Sequence, residues 1–337
     1  MKIIEGPVAV IKAPAAVPIT ETVAFDGSAS YMAEGNIVDW QWDFGDGDTA
    51  SGETVSHTYA RAGTYTASLT LRSDSASPTC QVISARHIIT VNAPPVADAG
   101  ADRAVAVDEE AVFDASASTD PDGGIVAYEW DFGDGSTATG IDARHRYRSA
   151  GTYTATLTVR DGTGLANSAA TDTATVTVNP EPAPAIAGPA VACVGETAAW
   201  KAAGTGSTYR WAFGDGAAAD SAETTHAYSK PGRYSLVLLS DDGKGLANSR
   251  QQATQLVHVN LPPEAAAGID RRTCPGDVLA FDASASRDPD GAITAWRWDF
   301  GDGANAEGAT ASHAYAAPGT YVVKLTAIDD AGSACSS

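Results

Sequence analysis

Short stretches of alternating apolar and polar residues, separated by Gly, Asp and Pro, run the length of this chain. Val112-Phe-Asp-Ala-Ser-Ala-Ser118 and Leu279-Ala-Phe-Asp-Ala-Ser-Ala-Ser286 are two copies of one such stretch. Ile125-Val-Ala-Tyr-Glu-Trp130 is another, with Tyr128 and Trp130 on one face. Gly151-Thr-Tyr-Thr-Ala-Thr-Leu-Thr-Val159 and Ala174-Thr-Val-Thr-Val178 follow in the same region. A period of two places alternate side chains on opposite faces of a strand. Thr, Val and aromatic enrichment between Gly/Asp/Pro punctuation predicts short antiparallel strands in a sandwich. No segment sustains a period of 3.6 residues, so the pattern predicts no amphipathic helix.

The pattern repeats. Trp42-Asp-Phe-Gly-Asp-Gly47, Trp130-Asp-Phe-Gly-Asp-Gly135, Trp211-Ala-Phe-Gly-Asp-Gly216 and Trp298-Asp-Phe-Gly-Asp-Gly303 stand 88, 81 and 87 residues apart. That spacing exceeds a solenoid repeat and suits a small β-sandwich. Trp and the Phe two positions on share a core face, and Gly-Asp-Gly supplies a tight turn. Trp42, Trp130, Trp211 and Trp298 are therefore expected to be structural rather than a sugar-stacking platform. Val91-Asn-Ala-Pro-Pro95, Val178-Asn-Pro-Glu-Pro182 and Val259-Asn-Leu-Pro-Pro263 mark boundaries, since proline ends strand pairing. The expected modules are 1–92, 93–180, 181–260 and 261–337. Short proline linkers predict an elongated, semi-rigid array.

Each copy continues with His-x-Tyr at His57, His145, His226 and His313, then Gly-x-Tyr at Gly63, Gly151, Gly232 and Gly319, then a β-rich strand. In this order of motifs the chain resembles the PKD (polycystic kidney disease) domain family over essentially its whole length. The resemblance implies an all-β fold of four tandem immunoglobulin-like sandwiches and an accessory role outside the cell. In bacteria and archaea such modules occur in surface proteins and as spacers in secreted hydrolases. Module three departs from the pattern with Ala212 for Asp and Trp200-Lys201 for Phe-Asp. Module four stops at Cys335-Ser-Ser337, short of a closing strand.

Forty-two acidic against 21 basic residues give a net charge of −21, which argues against nucleic acid and anionic membrane as partners. No apolar run of 18 residues is present, so no membrane span is expected in this segment. The start lacks a signal-peptide pattern. Both ends read as cuts in a longer protein, and the expected location is extracellular or cell-surface. Expected partners are other modules of a longer chain or neighbouring subunits, with surface polysaccharide as a further candidate.

Four histidines recur once per module, which points to hydrogen bonding near the turn rather than to catalysis. No Ser-His-Asp, His-Glu-x-x-His or phosphate-loop pattern is present, so no enzyme is expected. The candidate cofactor is calcium. Asp120-Pro-Asp122-Gly123 and Asp288-Pro-Asp290-Gly291 place paired carboxylates in one loop, while Asp161 and Asp329 end a strand whose loop meets it. Calcium takes six to eight oxygens, which such loops can supply; some PKD modules are similar in binding it there. The same Asp-Pro-Asp-Gly composition also suits a plain turn. Modules one and three lack the motif.

Cys193 and Cys274 share one place in their modules, and Cys80 and Cys335 share another. In an immunoglobulin-like sandwich these places lie at opposite ends, too far apart for a Cys274–Cys335 bond. Head-to-tail stacking would instead bring Cys193 to Cys335 as an inter-module disulfide, leaving Cys274 and Cys80 for further modules; unpaired buried thiols are the alternative. The functional expectation is a non-catalytic structural or adhesive spacer. The alternatives are the accessory region of a secreted polysaccharide- or protein-degrading hydrolase and a carbohydrate-binding module.

Overall fold

In the computed structural model, residues 5–77, 81–332, 335 and 337 are described, and among them there is no helix. Module one contains β1 (Ala16–Pro18), β2 (Thr22–Asp26), β3 (Ile37–Asp43), β4 (Thr49–Ser51), β5 (Thr54–Thr58), β6 (Gly63–Ser73) and β7 (Val82–Asn92). Its two sheets are β2-β5 and β1-β7-β6-β3-β4, with β1 parallel to β7 and the other pairs antiparallel. Module two repeats this with β8 (Arg103–Ala106), β9 (Glu110–Asp114), β10 (Ala127–Asp131), β11 (Thr137–Thr139), β12 (Asp142–Arg146), β13 (Gly151–Arg160) and β14 (Ala169–Asn179).

Module three adds β15 (Pro184–Ala187) to β16 (Val191–Cys193), β17 (Ala198–Gly204), β18 (Thr208–Ala212), β19 (Ala218–Ala219), β20 (Glu223–His226), β21 (Gly232–Asp241) and β22 (Arg250–Asn260). In module four β23 (Leu279–Asp282) pairs with β26 (Thr310–His313), and β24 (Ile293–Asp299) lies between β25 (Asn305–Glu307) and β27 (Lys324–Asp329). No counterpart of β7, β14 and β22 is found there among the described residues. Arg271–Cys274, where the parallel edge strand would start, accordingly forms no strand.

Each module has its own core, built around Trp42, Trp130, Trp211 or Trp298 with the Phe two residues on, all buried. The modules associate as two compact units, one ending at Asn179 and the other beginning at Pro180. Several strand ends differ from the sequence pattern. The alternation through Ser118 and Ser286 stops at Asp114 and Asp282, because each carboxylate accepts the amide of the serine two residues on and turns the chain. β14 begins at Ala169, five residues before the alternating stretch, because Ala169–Thr173 continues the ladder against β13.

Candidate functional site

The recurrent motif forms one closed network in every module. The Trp indole donates to a backbone carbonyl ten residues on, at 2.9 to 3.1 Å. The Tyr of His-x-Tyr donates its hydroxyl to the carbonyl of the motif Phe, as Tyr147 does to Phe132 at 3.1 Å. Burial pushes the hydroxyls of Tyr59, Tyr147 and Tyr228 up to about 12. Each recurrent histidine bonds through Nε2 to the Asp of Gly-Asp-Gly: His57 to Asp46, His145 to Asp134, His226 to Asp215 and His313 to Asp302, all at 2.7 Å.

Burial works against the charge on Asp46, but the His57 bond and the Asp48 amide outweigh it and hold the carboxyl below the usual range. The turn itself needs glycine. Gly133 has φ of +78°, and a Cβ there would stand 2.6 Å from the Thr154 carbonyl oxygen. Asp46, Asp48 and His57 are near enough together to hold a metal. The other three modules keep the same His–Asp bond with Ser136, Ala217 or Ala304 where module one has Asp48, so bracing the turn accounts for the pair.

The six acidic residues singled out in the sequence gather where one module meets the next. In the first unit Asp161, at the end of β13, accepts the Asn92 side-chain amide at 2.7 Å and the Thr163 amide and hydroxyl at 2.8 Å each. Burial opposes its charge, yet the Thr163 and Asn92 bonds prevail and lower its pKa. Asp122 accepts the Ala93 amide at 3.0 Å, and Asp120 Oδ1 caps the amides of Asp122 and Gly123 at 3.2 Å. Asp120 Oδ2 is buried with no hydrogen-bond partner. Asn92 belongs to module one, so this cluster is shared across a junction. Asn167 closes it, donating to the Asn92 carbonyl at 2.8 Å and accepting from the Asn92 amide at 3.2 Å.

The second unit repeats the arrangement. Asp329 accepts Asn260 Nδ2 at 2.7 Å and the Ala331 amide at 2.9 Å. Asp290 receives the Leu261 amide at 3.1 and 3.3 Å, and Asp288 Oδ2 is again buried without a partner. Burial raises the Asp288 pKa, and the charges of Asp290 and Asp329 add to it. The glycine closing each Asp-Pro-Asp-Gly loop lies over the buried oxygen: a Cβ on Gly291 would stand 2.7 Å from Asp288 Oδ2, and one on Gly123 would stand 3.2 Å from Asp120 Oδ2. An all-oxygen cluster with an orphaned, buried carboxylate oxygen suits a hard divalent cation. Asn92 and Asn260 were noted in the sequence only as boundary markers; their recurrence before each proline linker was the signal of a shared role.

Cys193, at the end of β16, and Cys335 are joined across the second unit's junction, with Cα atoms 5.9 Å apart. Cys274 is exposed and free. Cys80 lies outside the described residues.

The PKD domain family matches residues 4–88, 92–178, 179–257 and 260–337, and the chain belongs to it. It is 43% identical over 76 residues to collagenase ColA of Clostridium perfringens, covering 23% of this chain and 7% of that protein. It is 30% identical over 126 residues to the pre-pro-metalloprotease PrtV of Vibrio cholerae, covering 37% of this chain and 13% of that protein. The chain thus spans about a tenth of the length of the curated relatives it matches. Among solved structures, the PKD1 domain of Vibrio anguillarum Epp is 28% identical, covering 27% of this chain and all of that one, with a TM-score of 0.24. Among the described residues no helix is long and apolar enough to cross a membrane.

Proposed function

We propose that this chain is a non-catalytic extracellular spacer whose module junctions are set by calcium. The observation that carries the reading is the shared oxygen cluster at each junction: Asp120, Asp122 and Asp161 with Asn92, and Asp288, Asp290 and Asp329 with Asn260. Each cluster draws on two modules, so a cation held there ties the end of one to the loops of the next. Calcium would supply the positive charge that the amide donors give only in part, and an orphaned oxygen such as Asp288 Oδ2 is a ready ligand. Asn92 and Asn260 carry an amide oxygen as well as the nitrogen that now faces the carboxylate.

The kinship with segments of a collagenase and a metalloprotease favours one setting for the spacer, as the accessory region of a secreted hydrolase. Scanning calorimetry of the full chain in calcium and in EDTA tests the cation. Saturating calcium at about 100 times its dissociation constant stabilises the form that binds it by about 2.7 kcal/mol. Melts that coincide in calcium and EDTA would overturn the reading.

A further inference from the structure

Of the positions at which the two clusters differ, one carries a covalent bond in the second unit. Six residues after Asp161 stands Asn167, and six after Asp329 stands Cys335. Both lie against the asparagine that ends the preceding module. Asn167 clasps Asn92 with two amide hydrogen bonds, at 2.8 and 3.2 Å. Cys335 offers Asn260 its carbonyl at 3.3 Å and its sulfur at 3.7 Å, and is held there by the bond to Cys193. Cys193 is the sheet partner of Asn260 in the parallel β16–β22 pair. The disulfide therefore fixes Cys335 onto the asparagine that donates to the Asp329 carboxylate.

We propose that the Cys193–Cys335 disulfide positions the cation site of module four, so that its redox state sets cation affinity there while module two, clasped by Asn167, is indifferent to it. The inference rests on the calcium reading above. Reduction by a dithiol breaks the S–S bond. Two electrons and two protons from the dithiol leave one thiol on each cysteine, and the dithiol closes to its own disulfide. Asp288, Asp290, Asp329 and Asn260 all remain, but Cys335 is no longer tied to Cys193, the sheet partner of Asn260. Partners that orient metal ligands from outside the coordination sphere typically change affinity about 10- to 100-fold.

The test is calorimetric titration of calcium into the full chain. Asp120→Asn silences the first site, leaving module four to be read alone, and Asp288→Asn does the converse. Affinity in Asp120→Asn should fall at least roughly tenfold with dithiothreitol, whereas Asp288→Asn should bind equally with and without it. The double change Cys193→Ala with Cys335→Asn, made in the Asp120→Asn chain, installs the clasp of module two. It should bind near the oxidised affinity with or without reductant. The nuclear magnetic resonance signal of the Trp298 indole N–H, which donates to Gly308, reports whether module four stays folded on reduction; should it unfold, the asparagine-clasped chain decides, and weak binding by it overturns the proposal. Equal affinity with and without dithiothreitol in a folded Asp120→Asn chain also overturns it. Calcium binding in neither single variant would count against the calcium reading itself.

Discussion

The junction between modules one and two and that between modules three and four solve one problem with different chemistry. Both place an asparagine from the end of one module against a buried aspartate of the next, at 2.7 Å. In the first unit the cluster is completed by hydrogen bonds, from Thr163 to Asp161 and between Asn167 and Asn92. In the second, Ala331 replaces Thr163 and offers only its amide, and a disulfide replaces the amide clasp. In the second cluster Asp288 is pushed toward its neutral form by burial and by Asp290 and Asp329. Covalent closure stands in the second unit where the first uses the clasp between Asn167 and Asn92.

The largest expected difference comes from cutting that closure. Cys193 and Cys335 are 142 residues apart, and closing a loop of that order constrains the unfolded chain by about 5 kcal/mol. Urea unfolding of the second unit, followed through the Trp298 indole N–H signal, should shift by a large part of that on reduction, while the first unit is unmoved. A shift of equal size in both would erase the distinction. Next in size, Asn92→Ala leaves the buried Asp161 without its side-chain amide donor and should cost the first unit about 1 to 3 kcal/mol. Asn260→Ala should cost the second unit less in the oxidised chain and a comparable amount once reduced. Equal losses in the oxidised chain would show that the disulfide contributes nothing to the clasp.

The smallest effect is a slope with pH. Because folding raises the Asp288 pKa, the native state holds this proton more tightly than the unfolded chain. Its contribution is fully present below the ordinary carboxylate value and is lost as pH rises through the raised one. Without calcium, the stability of the second unit minus that of its Asp288→Asn form should therefore decline with rising pH in that window. A difference that stays flat, or rises, contradicts a raised Asp288 pKa.

Most of the fold was legible because it is local. Trp130, Phe132 and the Gly133–Gly135 turn occupy six consecutive residues, and their period of two announces a buried face. Where strands stop was less so, since a side-chain bond such as Asp114 to Ser116 overrides continuing alternation. The junction was legible only in halves. The paired carboxylates of Asp120-Pro-Asp122 stand out, whereas Asn92 lies 69 residues from Asp161 and touches it only after two modules have docked. Asn167 stands in Gly164-Leu-Ala-Asn-Ser168, which recurs as Gly245-Leu-Ala-Asn-Ser249, but a repeated loop does not by itself say what its asparagine touches. Its role emerged from comparison with Cys335, whose pairing with Cys193 could be reasoned from module ends because a sulfur bond tolerates so few geometries.

The account stands on a cation at the junction within each of the two units, and the stoichiometry of calcium binding to the oxidised full chain tests it most directly. Calorimetric titration should find two calcium ions per chain, one remaining in Asp120→Asn, one in Asp288→Asn and none in the double variant. Absence of binding heat in the oxidised chain at millimolar calcium, or binding that survives in the double variant, would contradict it.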